Sequence, residues 1–145
     1  MTGTVCCDVT SFEMSNSGAI WGGVWISGKE QDFPEHGWND LVVAFLVELH
    51  RAVDQIRRAG GHVRVRFFDG PYWLDLKAEQ GGLLSIEAAG EKAGVGFNNT
   101  LDLRDFEHHL IDETILVLRE CKIRGWSEQS DVQLLASHVP NVYWH

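Results

Sequence analysis

A turn flanked by aromatic residues does most to constrain the fold of this chain. Residues 67–73 read Phe-Phe-Asp-Gly-Pro-Tyr-Trp. Aspartate can bond its own backbone, glycine accepts a positive φ, and proline fixes φ and removes a donor, so Asp69, Gly70 and Pro71 predict a tight turn. The segments on both sides alternate in polarity, which is typical of β-strands. The sequence therefore predicts the tip of a β-hairpin that carries bulky rings.

Strand patterns recur before and after this hairpin. Two strands are predicted at residues 5–14 and 19–26, and others at 62–68, 72–78 and 83–88, with a weaker one at 94–98. The turns between the later strands are short, which forces antiparallel neighbours.

The hairpin strands also predict two different faces. Val63, Val65 and Phe67 share one face, with Tyr72, Leu74 and Leu76 as counterparts on the next strand. Arg64 and Arg66 fall on the other face, where Asp75 can pair with an arginine across the strands.

Helical periodicity predicts three helices. The first opens at Trp38-Asn39-Asp40, with Asn39 or Asp40 as the N-cap and Trp38 as a hydrophobic staple, and ends at Gly60-Gly61. The second runs from a cap at Thr100 or Asp102 to about Arg124. Ser127 is expected to cap a short third helix that ends near Pro140, and the aromatic tail at residues 142–145 is expected to dock on the fold.

The order of these elements predicts the fold class. Two hairpin-linked strands, a long helix, a four-strand meander and two helices contain no strand–helix–strand alternation. This succession of elements predicts an α+β fold with an antiparallel sheet of about six strands and helices packed on one face. The sequence does not determine the order of the strands within the sheet. No linker or repeat interrupts residues 1–145, which predicts a single domain.

Charge favours one class of partner. The chain has 12 Lys and Arg against 21 Asp and Glu, a net charge of −9. This excess of negative charge opposes binding to nucleic acid or to an anionic membrane. It favours a basic protein as partner, because proteins of opposite electrostatic potential attract each other as they diffuse together. The apolar run at residues 41–47 is far shorter than the roughly 20 residues of a membrane span, and the N-terminus lacks a secretory signal pattern. Three cysteines without a Cys-x-x-Cys spacing predict reduced thiols, so a cytoplasmic location is expected.

Metal binding is an alternative that the sequence leaves open. The segment His108-His109-x-x-Asp112-Glu113 places two pairs of metal-ligand types one helical turn apart. A helical wheel, however, puts His108 and Asp112 opposite the apolar stripe, where a solvated ion-pair face is expected. We therefore expect no metal and no cofactor, with a small metal-binding protein or enzyme as the alternative function.

Other chemistry has little support in the sequence. No nucleophile elbow, phosphate-binding loop or dinucleotide fingerprint is present, so we expect no enzymatic activity. Cys6 or Cys7 could pair with a distant histidine, but any chain with three cysteines and seven histidines allows this. Trp21 and Trp25 share one strand face, so a sheet that binds a planar ligand is a further alternative.

Two motifs resemble those of small bacterial immunity proteins from polymorphic or contact-dependent toxin loci. One is Phe33-Pro34-x-x-x-Trp38-x-Asp40-Leu41, which precedes the long apolar helix. The other is Phe67-Phe68-Asp69-Gly70-Pro71-Tyr72. The similarity covers about Gly18 to Ala88, and both motifs are structural, so it assigns no subfamily and no toxin.

This resemblance implies a non-enzymatic inhibitor that binds and neutralises one toxin domain. Acidic side chains would meet a basic cleft of the toxin while aromatic anchors fill its pockets. The expected partner contacts are Asp32, Glu35, Asp40, Asp69, Tyr72 and Trp73.

Overall fold

Among the described residues, two antiparallel sheets and three helices share one hydrophobic core, which confirms the predicted α+β class. The structure is a computed structural model that describes residues 2–92 and 94–140. Its elements are β1 (Val5–Met14), β2 (Ile20–Ile26), β3 (Asn39–Asp40), α1 (Val42–Ala59), β4 (His62–Arg66), β5 (Tyr72–Glu79), β6 (Leu83–Gly90), β7 (Gly94–Asp102), α2 (Leu103–Ile123) and α3 (Ser130–Ala136).

The strands are arranged in two sheets instead of the single sheet that the sequence suggested. One sheet has the order β1-β2-β3 and the other the order β4-β5-β6-β7. Helix α1 explains the separation, because it packs against β2 of the first sheet and against β4 and β5 of the second. Phe45, Leu46 and Leu49 on α1 are fully buried, so this helix forms the centre of the core.

The four-stranded sheet has the predicted register. Val63 lies opposite Leu76 and Val65 opposite Leu74, with the leucines and Val65 buried. On the other face Arg64 lies opposite Asp75, and its guanidinium donates two hydrogen bonds to that carboxylate, at 2.8 and 3.0 Å. The short connections predicted from the glycine-rich turns therefore produce an antiparallel meander from β4 to β7.

Helix α1 begins differently from the prediction. Asn39 and Asp40 pair with β2 as the short strand β3, and the residue before the helix is Leu41, whose side chain makes no capping bond. The first helical hydrogen bond joins Phe45 N to Leu41 O at 2.9 Å. The prediction that Asn39 or Asp40 caps this helix is therefore wrong, because the ladder with β2 directs both residues elsewhere.

The ends of the other helices confirm one predicted cap and correct another. Asp102 caps α2, and its Oδ1 accepts hydrogen bonds from the backbone N–H groups of Arg104 and Asp105. Ser127 does not cap α3; Gln129 does so, because the helix starts two residues later than expected. The predicted docking segment at residues 142–145 lies outside the described residues. Across the described ranges, no helix is long and apolar enough to cross a membrane.

A buried histidine links α1 to α2 and to the turn that follows α3. Thr114 on α2 donates its hydroxyl hydrogen to Leu110 O, so His50 Nε2 of α1 must carry the proton in its 2.8 Å bond to Thr114 Oγ1. The His50 ring also stacks on His138, just after α3, with ring centroids 5.0 Å apart. Burial, and secondly the neighbouring His138, lowers the pKa of His50 from 6.5 to about 4. His50 is thus neutral in the folded protein at neutral pH.

Acidification should therefore destabilise the fold through His50. The unfolded chain binds this proton below about pH 6.5 and the native state only below about pH 4, so stability falls across that window, by about 3 kcal/mol when complete. His50→Gln removes the titration, and we expect the free energy of unfolding of this variant to vary less between pH 6.5 and 4. Urea unfolding at a series of pH values measures this.

A matched control is His108→Gln, because His108 is exposed on α2. This variant should keep the wild-type pH profile. Burial raises the pKa of half-buried Glu113, so its protonation affects stability in the opposite direction to that of His50. Glu113 is present in all three proteins and does not alter the comparison. Parallel profiles for wild type and His50→Gln would contradict the assignment.

Candidate binding surface at the hairpin tip

The side chain of Asp40 anchors the turn between β4 and β5. Asp40 is 0% exposed, and its carboxylate accepts four hydrogen bonds. Oδ1 accepts from Leu41 N (2.7 Å) and Phe68 N (3.2 Å), and Oδ2 accepts from the indole Nε1 of Trp38 (3.0 Å) and from Asp69 N (3.2 Å). One buried side chain therefore joins the start of α1 to the turn 28 residues further along the chain.

This geometry corrects the role predicted for Asp40. A fully buried carboxylate whose two oxygens already serve internal donors has no surface with which to contact a partner. Trp38 also differs from its predicted role, because its indole bonds Asp40 and its ring packs on Tyr72, with centroids 5.2 Å apart. Asp40 and Trp38 thus hold the tip in place from below.

A series of aromatic rings in contact extends from Trp38 across the end of the sheet. Tyr72 lies edge-on to Phe33, with centroids 5.5 Å apart, and Phe33 also meets Phe97 of β7 at 6.4 Å. Gly96 allows this arrangement, because a Cβ atom there would lie 2.6 Å from the Phe33 ring. These contacts leave the Tyr72 side chain half-buried, so only part of its ring is accessible to a partner.

Two acidic side chains lie in the loop that carries Phe33. Asp32 lines a cavity of about 350 Å³ together with Phe33, Pro34 and Tyr72. The hydrogen bond that His36 Nδ1 donates to Asp32 Oδ2, at 2.8 Å, lowers the pKa of this carboxyl, so Asp32 is ionised at neutral pH. Glu35 is exposed in the same loop, and its carbonyl accepts a hydrogen bond from Trp38 N.

The tip itself completes the surface. Asp69 is exposed, and the Phe68 side chain next to it is 51% exposed although the backbone N–H groups of both residues are bonded to Asp40. We call the surface formed by Asp32, Glu35, Phe68, Asp69 and Tyr72 the acidic end. It brings together four of the predicted contacts. The acidic end also contains Phe68, which is not among the predicted contacts. The alternation of the strand indicates that Phe68 is exposed, because Val63, Val65 and Phe67 occupy the buried face.

Trp73 lies away from the acidic end. As the neighbour of Tyr72 in β5, it points to the opposite face of the sheet, where the guanidinium carbons of Arg64 and Arg66 lie 4.5 and 5.2 Å from its ring centroid. Its indole Nε1 is buried and has no hydrogen-bond partner among the described residues. The sequence placed Tyr72 and Trp73 in one contact set, but the period of the strand separates them.

The metal alternative receives no support from the geometry. In the described part of the chain, no three His, Cys, Asp or Glu side chains are placed to hold one metal ion. His108 and Asp112 are exposed, as the helical wheel indicated, whereas Glu113 turns inwards and accepts a hydrogen bond from Cys7 N at 3.0 Å.

The tryptophan and thiol alternatives are disfavoured as well. Trp25 is buried beneath His36, whose ring centroid lies 4.6 Å away, so Trp21 and Trp25 do not form an open stacking platform. Burial raises the pKa of the Cys6 thiol and raises that of Cys7 further, and the charge of Glu113 adds to both shifts. Both thiols are therefore poor sources of a nucleophilic thiolate.

The anchor can be tested with a near-isosteric variant. In Asp40→Asn one acceptor oxygen becomes an amide donor, so two of the four bonded groups lose their acceptor. We expect the free energy of unfolding to fall by about 2–4 kcal/mol. Asp69→Asn, on the exposed neighbour, is the control and should stay within about 0.5 kcal/mol of wild type. Equal stability of the two variants in urea titrations would refute the anchoring role.

Comparison with known protein families, with curated protein sequences and with solved structures finds no match for this chain. What the chain offers is a surface: acidic side chains and an exposed ring on a turn that a buried carboxylate holds in place.

Proposed function

We propose that this protein is an inhibitor that binds and neutralises a basic toxin domain through the acidic end, as an immunity protein does. The observation that carries the proposal is the anchored tip, which exposes Phe68 at 51% while Asp40 bonds the backbone beneath it. A large apolar side chain on a fixed turn has the properties of an interface anchor, because little conformational entropy is lost when it binds.

Charge supports the same proposal. Asp32 shares a cavity with Tyr72, Asp69 follows Phe68 in the exposed turn, and Glu35 is exposed, in a chain whose net charge is −9. Opposite potentials raise association rates and orient the partners before contact. The carboxylates would meet lysine and arginine side chains around the basic site of the toxin, while Phe68 enters an apolar pocket. Inhibition would then follow from steric occlusion of that site and requires no chemistry from this chain.

A rescue experiment tests the proposal directly. The chain is co-expressed with the toxin domain encoded immediately upstream of it, and growth and complex formation are measured. We expect wild type to restore growth and to co-purify with the toxin. Absence of both a complex and rescue would sink the proposal.

Variants of the acidic end make the test specific. Phe68→Ala and Asp69→Lys should each weaken binding by about tenfold or more, and the association rate of wild type should fall as salt is added. Asp112→Lys makes the same charge change at an exposed position of α2 and should bind like wild type. If Asp112→Lys weakens binding as much as Asp69→Lys, net charge and not the acidic end would be responsible.

A further inference from the structure

Strand β4 presents an open sheet edge. It is the first strand in the order β4-β5-β6-β7, so among the described residues only β5 pairs with it. Gly61 O accepts a hydrogen bond from Ala78 N, and Phe67 N donates to Tyr72 O, at 2.9 and 3.1 Å. Backbone groups of alternate residues point the same way in an antiparallel ladder, so those of His62, Arg64 and Arg66 point away from β5, towards the open edge.

A groove lies beside this edge. It has a volume of about 740 Å³ and lies between β4 and α1; its lining is Glu48, Arg51, Ala52, Gln55 and residues 63–68. Ala52 and Val65 supply a buried apolar floor, while Arg51, Arg64 and Arg66 are exposed at the rim. A groove with a strand edge along one wall fits an extended peptide, which can use the free backbone groups for pairing.

The groove reverses the charge balance of the whole chain. Its lining contains three arginines and a single acidic residue, Glu48, whereas the protein has 21 acidic residues against 12 basic ones. Glu48 is already paired with Arg51 at 2.8 Å, and Arg64 with Asp75. Arg66 makes no ion pair in the described part of the chain, and its guanidinium is held over the ring of Trp73. The edge is therefore a local cationic site in an acidic protein.

We propose that β4 is a docking edge for an extended segment of a partner protein in which acidic residues alternate with apolar ones. The segment adds a fifth strand to the sheet, and its backbone pairs with the N–H and C=O groups of Arg64 and Arg66. Its acidic side chains lie on the outer face beside these arginines, since opposite charges on neighbouring strands stabilise pairing. Its apolar side chains point into the groove, towards Ala52 and Val65.

Charge also disfavours a second copy of this chain as the occupant. Antiparallel pairing of β4 with β4 of another molecule would place His62, Arg64 and Arg66 opposite the same three residues. Like charges directly opposite one another destabilise a strand pair. The same residues that attract an acidic segment thus disfavour self-association at this edge.

The test uses the full chain and a short synthetic peptide that alternates glutamate with valine. Nuclear magnetic resonance titration gives the affinity, and amide hydrogen exchange reports which backbone groups become bonded. We expect slower exchange of the Arg64 and Arg66 amides on binding. A peptide that alternates lysine with valine should bind at least about tenfold more weakly, because each cross-strand charge pair contributes a few tenths to one kcal/mol. Methylation of alternate peptide nitrogens should abolish binding.

Matched charge reversals locate the site. Arg66→Glu should remove the preference for the glutamate peptide, whereas Lys77→Glu should retain it, because Lys77 is exposed on the same face but one strand away from the edge. Unchanged exchange of the Arg64 and Arg66 amides, or equal binding of the two peptides, would overturn the proposal. So would a dimer that the glutamate peptide dissociates.

This proposal does not depend on the toxin-binding proposal. The peptide titration contains no toxin, and Asp69→Lys, which should weaken toxin binding, should leave peptide binding unchanged. Failure of one experiment therefore leaves the other interpretable.

Discussion

The carboxylate of Asp40 connects parts of the chain that no secondary-structure element joins. Its oxygens accept hydrogen bonds from the indole of Trp38, from the backbone before α1 and from two consecutive amides of the hairpin turn. Burying a carboxylate costs free energy unless its oxygens accept hydrogen bonds. The four donors offset this cost, and the carboxylate in turn satisfies four donors that would otherwise lack a partner. Because β3 also pairs with β2 at Asp40, the same residue relates the first sheet to the tip of the second. The orientation of the acidic end follows from this one side chain.

The two proposed surfaces share a turn but have opposite charge. Phe68 lines the groove beside β4 and also stands in the acidic end, with Asp69 on one side and the arginine-bearing strand on the other. A partner that covered both surfaces would need a basic patch and an acidic extended segment in the correct relative position. Such a pattern discriminates between related partners more strongly than net charge does, because a partner with either patch reversed meets like charges.

The sequence predicted those features that depend on neighbours in the chain. Turn residues and alternation fixed the β4–β5 register, including the pair of Arg64 with Asp75, and the cap at Asp102 followed from its position before an apolar stripe. Contacts between distant segments were not accessible in the same way. The sequence neighbours of Asp40 suggest a helix start and so predict a cap or a partner contact, whereas two of its four donors, Phe68 and Asp69, are far away in the chain. Likewise, one sheet was expected where two occur, since no local pattern shows that α1 lies between them.

The meander from β4 to β7 has a consequence for the order in which the chain folds. Its strands are consecutive and joined by short turns, so each pairing closes only a small loop and carries little loop-closure entropy. The first sheet meets this unit only through long-range contacts, among them those of Asp40 with the turn. Kinetically, the meander is therefore the early unit, and the hydrogen bonds of Asp40 form late. Weakening them should accelerate unfolding more than it slows folding.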